Sequence, residues 1–392
     1  MHEPRPLAAE RPVTFAAPRS DFERLATRGA LFELLTLGFY RFWLTTDLRR
    51  HLWSNTAVDG DAAEYTGTAK ELLLGFLFAL AILMPVYLAY FLVGIEAERW
   101  QAFASVPLFV FFYLFAQFAR YRARRYRLTR TVWRGVRFGM GGSGLAYVLR
   151  FSLWTLLGLL TLGLALPWRQ AALERYKMRH TSYGTLAGRF EGTGWELLKQ
   201  IWWLWAVGLA VLGGFALAAV TPLAFLTFPA TLIALPFCYA AYRAIEWRWW
   251  IAGVRLGELS FESTLGGGAL IGLYWKAIGW CVLLLFGVGA WATTVLGLAV
   301  LFTTHDGSLG KQVLSITQLH VSVPILIGLG YLVAAVTAGI FLRIYLMRGL
   351  WVRMAESATV HDLAAAESTL AGDRLASAVG EGLADGLDLG GF

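Results

Sequence analysis

At 392 residues with a formal net charge of +8, the chain is 57% hydrophobic and only 15% charged, a balance that excludes an ordinary soluble domain and a disordered chain. Its basic residues gather between uncharged apolar runs rather than along soluble helices, which sets nucleic acid aside as a partner. The two cysteines, Cys238 and Cys281, lie inside apolar runs and exclude a disulfide framework or a cysteine metal site.

Residues 1–28 carry Arg5, Arg11, Arg19, Arg24 and Arg28 among prolines and alanines, with no apolar signal-peptide core, so a flexible basic arm is expected. A first membrane repeat is expected over 29–120. It opens with Gly29 to Leu44, apolar except for Glu33 and Arg41 and shorter than the about 20 residues of a perpendicular span. Asp59-Gly60 is a hairpin-turn signal. Thr68 with Glu71 fits a capping box and starts the uncharged run Leu72 to Gly94, a full span; Ala102 to Ala119 is the next.

The second repeat, 121–243, begins in an arginine-rich loop holding Arg120, Arg122, Arg124, Arg125, Arg127, Arg130, Arg134 and Arg137 without an acid. "GMGGSG" from Gly139 to Gly144 matches a dinucleotide pattern but lacks the acid about 20 residues on, so no cofactor is expected. Free amides at a helix start would instead make Gly142 and Ser143, with Arg134 and Arg137, candidate contacts to a lipid phosphate. Leu145 to Trp168 is apolar apart from Arg150. Gln200 to Tyr242 has no charge and is about twice as long as a span needs, so a break is expected at Thr221-Pro222.

A degenerate third repeat over 244–354 holds "FEST" from Phe261 to Thr264, which resembles "FEGT" from Phe190 to Thr193, and two further spans, Ala269 to Thr304 with Lys276 and Gln312 to Leu342. Residues 355–392 form an acidic tail, expected to be disordered or a short amphipathic helix around Asp362 to Leu370.

The duplication rests on an offset. Thr36-Leu37-Gly38 and Trp43 recur as Thr161-Leu162-Gly163 and Trp168, and "YTGTAKELL" from Tyr65 answers "FEGTGWELL" from Phe190, each pair 125 residues apart (161 − 36 and 190 − 65). The charge pattern puts the basic loops in the cytoplasm, with both termini. One helix-length segment then separates two inner loops at each Thr-Leu-Gly, so these two segments are expected to be re-entrant or interfacial. The expected fold is an all-α polytopic membrane bundle with internal repeats, about six full spans plus those two segments, and small polar loops.

Glu33, Arg41, Arg150 and Lys276 are the candidate membrane-embedded charges, because an unpaired charge in an apolar segment is costly. No catalytic or metal-ligand constellation is visible, so no enzyme is expected. A transporter or channel-like protein is the leading functional expectation, because repeated membrane units build central pathways. The alternative is a non-catalytic scaffold or envelope protein that binds anionic lipid or a protein partner through the arginine-rich loops.

"LLTLGFYRFW", "RYRLTRTVWRGVRF", "LLTLGLALPW" and "RFEGTGWELL" together resemble the YjgN family of bacterial inner-membrane proteins, a domain of unknown function, over roughly Ala30 to Arg353. The resemblance implies an inner-membrane location and no substrate, reaction or site residue.

Overall fold

Strands of three to five residues alternate along the chain with pairs of helices, and the strands close into one antiparallel barrel. The computed structural model describes residues 10–96, 101–220, 224–303, 322–367 and 369. Among them the chain runs through five units of the same order, a five-residue strand, two helices and a short strand. The first is β1 (Arg11–Phe15), α1 (Arg19–Leu35), α2 (Arg41–Ser54) and β2 (Thr56–Val58). The second is β3 (Asp61–Tyr65), α3 (Ala69–Glu96), α4 (Gln101–Thr129) and β4 (Thr131–Trp133). The third is β5 (Val136–Met140), α5 (Gly144–Leu160), α6 (Leu166–Arg179) and β6 (Thr181–Tyr183). The fourth is β7 (Leu186–Phe190), α7 (Gly194–Ile201) with α8 (Trp203–Val220), α9 (Ala224–Gly253) and β8 (Val254–Leu256). The fifth is β9 (Leu259–Ser263), α10 (Ile271–Thr303), then α11 (Ser322–Leu342) continued by a π-helix (Arg343–Arg348) and α12 (Gly349–Glu356), and β10 (Ala358–His361). A last turn of helix, α13 (Ala364–Glu367), follows.

The strands of each unit pair in one register. Phe15 faces Thr56, Tyr65 faces Thr131, Met140 faces Thr181, Phe190 faces Val254 and Ser263 faces Ala358. "FEST" is therefore out of step with "FEGT", because Phe261 takes the place of Gly188 and not that of Phe190. Two-residue turns join neighbouring units. Asp59-Gly60 and Arg134-Gly135 have positive φ at both positions (56° and 84°, 47° and 74°), the type I′ geometry that suits the twist of paired strands. β10 pairs with β1 and closes the ring.

Alternation of side chains across each strand fills the barrel. Trp133, Val136, Tyr183, Leu256, Leu259 and Val360 form one buried cluster with Phe138, Phe261 and Val13 packed against it. The Tyr183 hydroxyl donates to the Trp133 carbonyl at 2.9 Å, so the polar tip of that ring is satisfied inside. Leu363 and Ala366, just beyond β10, join the same cluster and close the end of the barrel that carries the turns.

This architecture corrects the all-α expectation. Strands so short, set between long apolar helices, show no alternation long enough to compete with the helical signal, and the polar loops between helices are the barrel itself. The arginine-rich stretch is likewise no loop: α4 runs through it as far as Thr129 and only then gives way to the β4–β5 hairpin. Arg11–Phe15 and the first half of α1 stand where a flexible arm is expected, and β10 and α13 stand at the start of the expected tail.

About six spans is also too many for the described residues. Four helices are long and apolar enough to cross a membrane, Ala69–Val93, Leu226–Gly253, Ile271–Ala299 and Val323–Glu356, and five if α7 and α8, bent by 47°, count as one. They fit a membrane protein. The expected break at Thr221-Pro222 and the connections near 97–100 and 304–319 lie outside the described residues. The capping boxes do form: Thr193 accepts from the Glu196 amide at 3.2 Å while its own amide donates to the Glu196 carboxylate at 3.1 Å, and Thr68 and Glu71 repeat the exchange.

The Thr-Leu-Gly segments are tips of helical hairpins. α1 ends at Leu35 and α2 starts at Arg41; α5 ends at Leu160 and α6 starts at Leu166. Both ends are Schellman caps, in which the Gly38 amide donates to the Glu33 carbonyl and the Gly163 amide to the Gly158 carbonyl, each at 2.7 Å. In both tips threonine ties the turn: the Thr36 hydroxyl donates to the Phe32 carbonyl and accepts from the Tyr40 amide, and Thr161 does the same with Leu157 and Ala165.

Candidate anion-binding site

Where the fifth unit meets the first, three elements line a half-open cavity of about 180 Å³. α1 contributes Arg19, its first residue; α10 contributes Leu273 and Lys276; the π-helix and α12 contribute Ile344, Tyr345, Arg348, Gly349, Val352 and Arg353. Four of these nine side chains are cationic and none is acidic. Gly349 permits the close approach, since a Cβ there would lie 2.9 Å from Leu273 Cδ2.

Each cation is held differently. Arg19 pairs with Glu23 at 2.6 Å and lies over the Tyr345 ring at 5.1 Å; its hydrogen bond with Tyr345, then that with Glu23, raises its pKa further. Arg348 donates one terminal nitrogen to the Ala17 carbonyl at 3.0 Å, while its Nε is buried without a hydrogen-bond partner among the described residues. Arg353 donates to the Ala269 carbonyl. With Glu23 offsetting Arg19, three positive charges remain around a space large enough for a tetrahedral anion, which guanidinium and ammonium donors suit. Behind the site, burial and then Arg348 lower the pKa of His51, against Asp21, so His51 adds no charge at neutral pH.

A π-helix sets the turn that leads into Arg348. Arg343, Arg348 and Arg353 are spaced by five, which an α-helix would spread by 140° at each step. The wider i to i+5 turn over Arg343–Arg348 reduces that spread for the first step only, since Gly349–Glu356 is α-helical; such turns recur at functional sites. Arg343 is neutralised by Glu33 at 2.7 Å, which leaves Arg348 and Arg353 for the cavity.

A second charged cluster ties the helices together near the barrel. The Glu174 carboxylate is buried and receives Lys177, Arg124 at 3.4 Å and the Trp250 indole at 3.0 Å, joining α6, α4 and α9. Burial alone would raise its pKa, but Lys177 and Arg124 outweigh burial and hold it below the usual carboxylate range. Burial in turn lowers Lys177, with Glu174 opposing. Both carboxylate oxygens face protein donors.

The candidate residues from sequence scatter. Lys276 lines the cavity. Glu33 pairs with Arg343, Arg41 lies 5.8 Å from the Phe42 ring, and Arg150 lies 4.4 Å from the Tyr176 ring while donating to the Ala146 carbonyl. Arg134 sits in a hairpin turn against Asp59 and Asp61, at the barrel end opposite Ser143, which caps α5. Arg137, on β5 between them, donates to Thr66 Oγ1 at 3.1 Å and to the Thr129 carbonyl at 2.9 Å. Gly142 has φ 80° beside Tyr121 and His180. Arg134 and Arg137 are thus not brought onto the Gly142–Ser143 helix start. Arg19, Arg348 and Arg353 were not singled out as site residues in the sequence, because only the fold brings their helices together.

The family model described as a bacterial protein of unknown function (DUF898) matches residues 10–386, nearly the whole chain, so the chain belongs to that family, the same one as the YjgN resemblance. No curated protein and no solved structure matches it.

Proposed function

We propose that this DUF898 protein is a multi-pass protein of the bacterial inner membrane and a non-catalytic scaffold that holds the phosphate of an anionic lipid headgroup in the Arg19, Lys276, Arg348 and Arg353 cavity. The observation that carries the reading is the cavity itself, lined by four cations and no acid.

Strand directions support the topology. Neighbouring strands are antiparallel around the ring, so all five helix pairs leave from and return to one rim, and all the turns lie at the other end. A pair that crosses the bilayer and one that does not both bring the chain back to the same side. The barrel then belongs in the cytoplasm with the arginine-rich end of α4, as the positive-inside rule requires. On the same reading the 125-residue offset is a duplication of two units, since Tyr65 and Phe190 end β3 and β7 in the same register.

The test uses the full chain in detergent, melted with and without dihexanoyl phosphatidic acid, and separately with inorganic phosphate. A ligand at about 100 times its Kd stabilises by about 2.7 kcal/mol. The lipid should raise the Tm of the wild type and leave Lys276→Gln/Arg348→Gln unmoved. No rise in the wild type, or an equal rise in the variant, overturns the reading; a rise with inorganic phosphate equal to that with lipid assigns the cavity to a soluble anion instead.

A further inference from the structure

The two Thr-Leu-Gly tips share an uncommon feature. At a Schellman cap the residue in the left-handed region is ordinarily glycine, because a side chain there crowds the backbone. Here that place is filled by leucine in both copies, Leu37 at φ 51° and Leu162 at φ 50°, and the glycine follows one position later. These leucines touch almost nothing within the protein, being 91% and 88% exposed. Backbone strain is thus combined twice with a large apolar side chain held out at the far end of a helical hairpin. Water offers no compensation for either, whereas lipid compensates the second.

Length and charge fix how deep such a tip reaches. α1 and α5 each have 17 residues, about 25 Å, and leave the same rim as α3 with 28 and α10 with 33. They are too short to carry the chain across about 30 Å of hydrocarbon. Just past the tips stand Arg41 and Trp43 in the first hairpin and Trp168 and Arg169 in the second, the pairing of aromatic and basic groups that settles at a headgroup boundary. Around the tips Leu35, Phe39, Leu160 and Leu164 are also exposed, so each tip is an apolar knob rather than a single residue.

The geometry points to two leaflet-limited anchors: the Leu37 and Leu162 tips insert into the hydrocarbon of the barrel-side leaflet only, with Arg41 and Arg169 at its headgroups. The occupant of this surface is lipid. The inference rests on the membrane reading above but not on the anion cavity.

The experiment places single cysteines in the full chain after Cys238→Ala/Cys281→Ala. Leu37→Cys, Leu162→Cys and, on the β8–β9 turn, Glu258→Cys are reconstituted in liposomes and treated with a membrane-impermeant maleimide from each side. The tips should stay unreactive from both sides until detergent is added, while Glu258→Cys reacts from one. A bimane label at each tip should be quenched by lipids brominated along the chain and not by aqueous iodide. Reaction of either tip from the side opposite Glu258→Cys would show a full crossing, and prompt reaction from the same side would show a tip in water; each overturns the proposal. Should only the phosphatidic acid melt fail, the scaffold reading falls and the anchors stand. Should the Leu37→Cys variant not fold, Leu162→Cys alone carries the test.

Discussion

Leu37 and Leu162 also predict something about the isolated fold. A left-handed leucine costs about 1–2 kcal/mol, and glycine at that place costs about 0.5–1 kcal/mol in chain entropy instead. Since neither leucine packs on the protein, Leu37→Gly and Leu162→Gly should each raise stability in detergent by up to about 1 kcal/mol. Thermal melts followed by tryptophan fluorescence check this. A fall in Tm would mean that the leucine side chain supports the fold. At this scale the sequence was readable where one residue type carries the information: Asp59-Gly60 announces its turn, Thr68 and Thr193 announce their caps, and Lys276 stands out as a charge in an apolar run. Arg348 and Arg353 were not, because they read as ordinary basic residues flanking an apolar helix, and only the fold brings them beside Arg19 and Lys276.

Helices of the rim hold one another through Glu174. Glu174→Gln keeps the size of the side chain but leaves Lys177 and Arg124 in a buried site without their counter-charge, and removing one partner of such a group costs about 3–5 kcal/mol. The variant should melt well below the wild type in detergent at neutral pH. Glu174→Gln/Lys177→Met, which removes both charges of the closest pair, should recover most of the loss; equal losses for the two variants would show that Lys177 is not what the carboxylate compensates. This cluster was hidden in the sequence, because Glu174, Arg124 and Trp250 belong to three helices that only the barrel brings together. The same holds for the strands. Arg134-Gly135 obeys the rule that reveals Asp59-Gly60, yet three residues of β4 following a 29-residue helix offer no period to read.

Closure of the barrel is the property that no local stretch of sequence carries. β10 reaches β1 across nearly the whole chain, and helix pairs of unequal length between the strands space the hairpins unevenly, so only the proposed two-unit offset is visible. A closed ring has no edge at which to fray, and its strands should open together. Val360 tests this, being 4% exposed in the lumen cluster that also holds Trp133 and Tyr183. Val360→Asp puts a carboxylate among apolar side chains with a penalty of several kcal/mol. If the ring is one cooperative body, amide exchange in β5 and β6 should quicken by at least about tenfold, along with that in β1 and β10. Exchange that quickens only in β1, β9 and β10 would show that the strand from the chain's far end closes the ring without stabilising it, and the lumen would then be two cores meeting at a seam rather than one.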